Sequence, residues 1–184
     1  MEKQKCIFVI GTESSGSTFI ARVLNHIINV DKTWNGRGFN CCNDPDCDKN
    51  TNYTEPCRKV SKLICHRSLP FNSEVLWPPI SEWRKKYDCY FVICTRDLTI
   101  SELSRISRFG RSIGEVKNQS QKAREIIFSL INSDEKIYFW SYESFMFLGK
   151  TYLRKLLTFL NERSDKNILL IEKLRDGNVR YILK

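Results

Sequence analysis

The chain has 184 residues, enough for one domain with a full core, and its 41% hydrophobic content with 11 Phe, 7 Tyr and 4 Trp is that of a folded globular protein. A formal net charge of +9 points to anionic partners, but the basic residues form no continuous tract and no nucleic-acid-binding pattern appears, so nucleic acid is not the expected partner. No apolar run approaches the ~20 residues that span a bilayer, and no basic-then-apolar leader follows Met1, so a cytoplasmic protein without a transmembrane segment is expected.

The run Cys6 to Ile10 is apolar and β-branched, the pattern of a strand buried on both faces. From Ser17 onward, Phe19, Ile20, Val23, Leu24, Ile27 and Ile28 recur at helical spacing, which predicts a helix ending near Asn29 to Asp31. Between strand and helix lies Gly11-Thr-Glu-Ser-Ser-Gly16-Ser17-Thr18. Glycines and small hydroxyl residues turning a strand into a helix N-terminus aim backbone N–H groups and the positive helix end at one place, which makes a phosphate cradle. The spacing Gly11-x4-Gly16 matches the loop of nucleoside triphosphatases, but Ser17 stands where their lysine belongs. That lysine neutralises the β and γ phosphates, so ATP or GTP hydrolysis is not expected.

Residues 33–58 are rich in Gly, Asn, Asp and Pro, lack apolar periodicity and read as a long loop inserted into the domain. Cys41, Cys42, Cys47 and Cys57 fall there, half of the eight cysteines. Their spacing fits no standard zinc site; two local disulfides and a structural metal clip are the leading readings, with free thiols behind. Lys62 to His66 reads as a second strand ending at the polar turn Arg67 to Pro70, which places His66 where open α/β sheets gather ligand-binding groups. The other histidine, His26, lies on the first helix.

A short helix is predicted over Ile80 to Lys86, and Asp88 to Cys94 is the third strand, running into Thr95-Arg96-Asp97. Helices follow from about Thr99 to Phe109 and from Lys117 to Ile131. Arg105, Arg108 and Arg111 at spacing three read as a solvated basic stripe or the mouth of an anion site. Lys136 to Trp140 is the fourth strand, and after Tyr142-Glu143 an amphipathic helix is expected over roughly Tyr152 to Asn161.

Several of these segments, in this order, resemble the sulfotransferases that use 3′-phosphoadenosine 5′-phosphosulfate (PAPS). Ser15-Gly16-Ser17-Thr18-Phe19 is similar to their 5′-phosphosulfate loop, with Ser14 at the position where the family usually has a basic residue. Ile64-Cys-His66-Arg-Ser-Leu-Pro70 resembles the segment that delivers their catalytic His ahead of a Leu-Pro. Arg96 and Ser104, eight residues apart, have the spacing of the family's 3′-phosphate pair. Tyr142-Glu143 with the Leu-rich helix after it resembles the family's Tyr-Glu segment. Arg175-Asp-Gly177-Asn178 resembles, less closely, the late Arg-x-Gly loop.

The resemblance implies a single domain over 1–184: a three-layer α/β sandwich, P-loop-NTPase-like, with a mainly parallel sheet of four or five strands and the ligand at their carboxyl ends. It implies PAPS as a small-molecule donor and sulfuryl transfer, with no catalytic metal, to a hydroxyl or amine, carbohydrate among the candidate acceptors. His66 would be the base. Ser14, Ser15, Gly16, Ser17, Thr18, Arg96, Ser104, Tyr142, Arg175 and Gly177 would hold the donor, and Arg67 is the nearest cation to stand in for the one missing at Ser14. A nucleotide or small-molecule kinase with a degenerate loop, and a non-catalytic nucleotide-binding module, are the alternatives.

Overall fold

The computed structural model describes residues 3–29, 34–40, 56, 60, 62–70, 80–133 and 136–163. In chain order these form β1 (Gln4–Thr12), α1 (Ser17–Asn29), β2 (Gly38–Phe39), β3 (Leu63–Leu69), α2 (Ile80–Lys86), β4 (Tyr87–Thr95), α3 (Leu98–Phe109), α4 (Ile113–Ile131), β5 (Lys136–Ser141), α5 (Tyr142–Leu148) and α6 (Lys150–Phe159). The strands make one sheet in the order β2-β3-β1-β4-β5, with β2 antiparallel to β3 and every other pairing parallel. This is the mainly parallel α/β architecture expected from the sequence.

Alternation along β1 divides the core into two layers. Ile7 and Val9 face a cluster with Ile20 and Leu24 of α1, Trp140 of β5 and Leu153 and Leu156 of α6. Cys6, Phe8 and Ile10 face the opposite cluster, with Trp83 of α2 and Leu130 of α4. A parallel strand covered by helices on both faces has no polar side, which is why Cys6 to Ile10 is an unbroken apolar run, each residue 0% exposed. The amino end of the sheet is tied by Glu162, whose carboxylate takes Lys5 at 3.1 Å and also pairs with Lys62.

Four elements differ most from the expected pattern; one of them, α5, is a helix over Tyr142–Leu148 where the sequence pattern predicts none. β3 continues to Leu69, so His66 sits in mid-strand rather than at a strand end, and Arg67 and Ser68 belong to the strand instead of a turn. The stretch read as an unbroken loop contains β2, whose pairing continues into buried Asn40. The Asn40 amide N–H donates to the Ile64 carbonyl at 2.8 Å, and its side-chain oxygen accepts from Ile64 N–H at 2.9 Å. α4 begins four residues earlier than expected, because Ser112 and Glu115 form a reciprocal capping box.

β1 pairs with β3 on one side and β4 on the other, so the chain leaves it in both directions. The crevice at the carboxyl end of such a strand is where open α/β sheets place ligands. The turn from β1 into α1 opens onto it.

Candidate anion-binding site

The turn is fixed by backbone geometry that few residues tolerate. Ser15 N–H closes it onto the Thr12 carbonyl at 3.0 Å, Ser14 has φ 67° and Gly16 has φ 83°. A side chain on Gly16 would add a Cβ 2.8 Å from Cδ2 of Tyr142, and one on Gly11 would lie 2.4 Å from the Ser15 hydroxyl and 2.8 Å from the Cys94 carbonyl. Both glycines are therefore required by close approach, and Gly16 by its left-handed conformation as well. The first residues of α1, Ser17 and Thr18, follow directly, and their N–H groups are among the four that no helical carbonyl can satisfy.

The non-glycine residue in the left-handed region, Ser14, is held from the neighbouring strand and helix. Arg96, just past the end of β4, donates from Nη1 to the Ser14 carbonyl at 2.8 Å, and its guanidinium lies 4.8 Å from the centroid of the Tyr142 ring. Ser104, in α3, donates its hydroxyl to that of Ser14 at 3.1 Å. Ser101 donates to the Glu13 carbonyl at 3.2 Å, and Arg111 pairs with the Glu13 carboxylate. Asp97 is the N-cap of α3, accepting from Ile100 N–H at 2.8 Å, so Arg96 is directed at the turn while Asp97 starts the helix.

Against the same turn lies a cavity of about 460 Å³ whose walls include Ser14, Thr18, His66, Arg67 and Ser68. Its charged lining is completed by Arg37 and Arg108, with Glu13 already engaged by Arg111. In the sheet register Ser68 is opposite Gly11 and His66 opposite Val9, so Ser68 lies one residue before the end of β3 at Leu69 and His66 two positions deeper.

His66 reaches the site through its ring. Nε2 is 2.9 Å from the Ser17 hydroxyl while the side chain is 4% exposed. Burial pushes its pKa down to about 4; a hydrogen bond with the Gly36 backbone opposes this, and the charges of Arg67 and Arg37 add to the lowering. The imidazole is thus neutral at pH 7.

Of the residues singled out in the sequence, the structure gathers Ser14, Ser15, Gly16, Ser17, Thr18, His66, Arg67, Arg96, Ser104 and Tyr142 around one turn. Arg175, Gly177 and the cysteines Cys41, Cys42, Cys47 and Cys57 lie outside the described residues. Among the described residues no group of three or more His, Cys, Asp or Glu is placed to hold a metal ion, and no helix is long and apolar enough to cross a membrane.

The stripe Arg105, Arg108 and Arg111 does not form one face. Arg105 is fully buried and donates to the Ser120 hydroxyl at 2.6 Å, Arg108 lines the cavity, and Arg111 turns to Glu13. Sequence reading missed Arg37, Ser68 and Phe109 as cavity residues. The strand register would have pointed to Ser68, but nothing local marks the other two.

No protein-family model and no curated protein matches the sequence. Among solved structures the chain is similar to mouse sulfotransferase SULT7A1 complexed with PAP, with a TM-score of 0.59 at 14% identity over 93% of this chain. This chain spans 63% of the length of that one. The likeness establishes a sulfotransferase-like fold.

Proposed function

We propose that the protein is a PAPS-dependent sulfotransferase acting as a single domain over residues 1–184. The observation that carries this reading is the Ser14 to Thr18 turn, left-handed at Ser14 and Gly16, with Arg96 and Ser104 both gathered on Ser14. A donor with a phosphosulfate at one end and a 3′-phosphate at the other needs two anion sites on either side of one loop. The turn's amides with the Ser17 and Thr18 hydroxyls supply the first, and Arg96 with Ser104 the second. The PAP complex of the similarly folded mouse enzyme supports the same ligand class. Tyr142, under Gly16 and beside Arg96, sets the height of the turn, and Arg175 and Gly177 are proposed as further donor-binding residues.

Ser14 lacks the positive charge expected at its position, and Arg67 takes over that role. It lines the same cavity as Ser14 and Thr18 while only 6% exposed, where a guanidinium acts on an anion with little screening by water. In the transfer, the acceptor oxygen forms a bond to sulfur as the sulfur–oxygen bond to the 5′-phosphate breaks. The acceptor proton passes to His66, and 3′,5′-adenosine bisphosphate leaves. A neutral imidazole has the lone pair this requires, and the anionic phosphosulfate next to it would raise its basicity above that of the free protein.

The test is transfer of radiolabelled sulfate from PAPS, with Arg67→Ala compared against the unaltered protein. Loss of transfer by ~10²-fold or more, with bisphosphate binding weakened but still measurable, supports the assignment of Arg67; full transfer in Arg67→Ala contradicts it.

A further inference from the structure

Three guanidinium groups reach the cavity from three separate parts of the chain: Arg37 from the segment before β2, Arg67 from β3 and Arg108 from the last turn of α3. The carboxylate in the lining, Glu13, is already matched by Arg111. Among the described residues the lining thus holds more guanidinium groups than carboxylates, which favours an anion inside it. A phosphosulfate brings one negative charge on its phosphate and one on its sulfuryl group, and it meets buried Arg67 together with the amides of the turn.

Arg37 and Arg108 differ from Arg67 in being exposed, which puts them at the rim. Arg37 nevertheless acts on His66, as Arg67 does, so the rim charge is felt where the acceptor's reacting hydroxyl would lie. Phe109 stands next to Arg108 and is 45% exposed. Its ring has the Arg108 guanidinium 5.1 Å from the centroid and that of Arg111 at 5.3 Å. The rim thus offers an aromatic plate and two separated guanidinium forks. A sugar ring presents C–H groups to such a plate, and carboxylate or sulfate substituents are what guanidinium groups bind in pairs of hydrogen bonds.

We infer that the acceptor is an acidic saccharide, a polyhydroxyl compound already carrying carboxylate or sulfate groups, bound through Arg37 and Arg108 with a ring against Phe109. The inference rests on the sulfuryl-transfer reading and adds the class of acceptor. A neutral phenol or sterol would leave both rim charges unanswered.

Calorimetry on protein saturated with 3′,5′-adenosine bisphosphate tests it, with three probes: a uronate-containing tetrasaccharide, the same compound after carboxyl reduction, and an acidic tyrosine-containing peptide. The uronate compound is expected to bind at least about tenfold more tightly than its reduced form, with a preference that shrinks as salt rises. Arg37→Gln and Arg108→Gln should each cost the acidic probe roughly tenfold and leave the reduced probe and the bisphosphate unaffected. Phe109→Ala should weaken both saccharides. Equal binding of the charged and reduced forms, an unchanged preference in both arginine variants, tighter binding of the peptide, or no saccharide binding overturns the inference. If bisphosphate itself fails to bind, the donor reading falls and takes this one with it; if bisphosphate binds and the charge preference is absent, only the acceptor class is wrong.

Discussion

Nε2 of His66 lies 2.9 Å from the Ser17 hydroxyl, which ties the middle of β3 to the first residue of α1. The ring is buried, and burial, opposed by the Gly36 hydrogen bond and reinforced by Arg67 and Arg37, brings its pKa down to about 4. The unfolded chain would protonate this histidine near pH 6.5, whereas the folded chain does not until about pH 4. Between those values the unfolded state binds the extra proton. The contribution is therefore complete above about pH 6.5 and is lost as pH falls toward about 4, on the order of 3 kcal/mol in all.

His66→Gln keeps a hydrogen-bonding group near Ser17 but cannot titrate. Melting temperature followed from about pH 7 to about pH 4.5 should fall less steeply in His66→Gln than in the unaltered protein. Parallel curves would remove the buried neutral imidazole from the account. In the same variant sulfuryl transfer should drop by ~10²–10⁴-fold while bisphosphate affinity holds; undiminished transfer would leave His66 a positioning residue for Ser17.

Gly16 and Gly114 make opposite predictions from the same substitution. Gly16→Ala forces a side chain into a left-handed residue, at a cost of roughly 1–2 kcal/mol, and into Tyr142 at 2.8 Å. It should lower the melting temperature and abolish bisphosphate binding. Gly114 sits in the first turn of α4, where an added Cβ would meet nothing within 4 Å, so Gly114→Ala should stabilise by about 0.4–1 kcal/mol and leave binding untouched. Denaturant titrations of both variants decide this; a Gly16→Ala protein of normal stability and affinity would contradict the tight turn.

The sheet and most helices were legible because their cause is local. β1 and β4 are continuous apolar runs, and α1 and α6 are periodic. What escaped was set by tertiary partners. Arg67 and Ser68 look like a turn because they are polar, yet they extend β3 with side chains in a cavity rather than in solvent or core. β2 is two residues long and exists through its pairing with β3, continued by Asn40. Arg105, Arg108 and Arg111 are equivalent in spacing, but the packing of α3 on α4 buries the first and leaves the second at the cavity. The order of the site's parts was readable, and so were Arg67 and the stripe that holds Arg108; Arg37, in a segment without apolar periodicity, was not.

The eight cysteines divide into two sets with different expected chemistry. Cys6, Cys65, Cys89 and Cys94 are buried free thiols, and burial pushes Cys65 up to about 12 and Cys89 up to about 11, with Cys6 and Cys94 also raised. They should be inert to a thiol reagent in the native protein. We propose that Cys41, Cys42, Cys47 and Cys57 are joined by two disulfides or a metal clip. Titration in denaturant should then give about four reactive thiols without reductant or chelator and all eight once the right one is added. Four fast-reacting thiols in the native protein, with no metal bound, would contradict that proposal.

The donor site is the centre of the account, and one ligand comparison tests it most directly. Thermal shift and calorimetry should be run with 3′,5′-adenosine bisphosphate, 5′-AMP, ATP and a short DNA duplex, on the unaltered protein and on Ser104→Ala and Arg96→Ala. Arg96 and Ser104 meet at Ser14, so a 3′-phosphate joining them gains charge-assisted hydrogen bonds worth roughly 1.5–3 kcal/mol. The bisphosphate should bind at least about tenfold more tightly than 5′-AMP and more tightly than ATP or DNA. Either substitution should erase most of that margin, Arg96→Ala the more completely. Equal affinity for bisphosphate and 5′-AMP, or a preference for ATP or DNA, would contradict the assignment of this site to a PAPS-type donor.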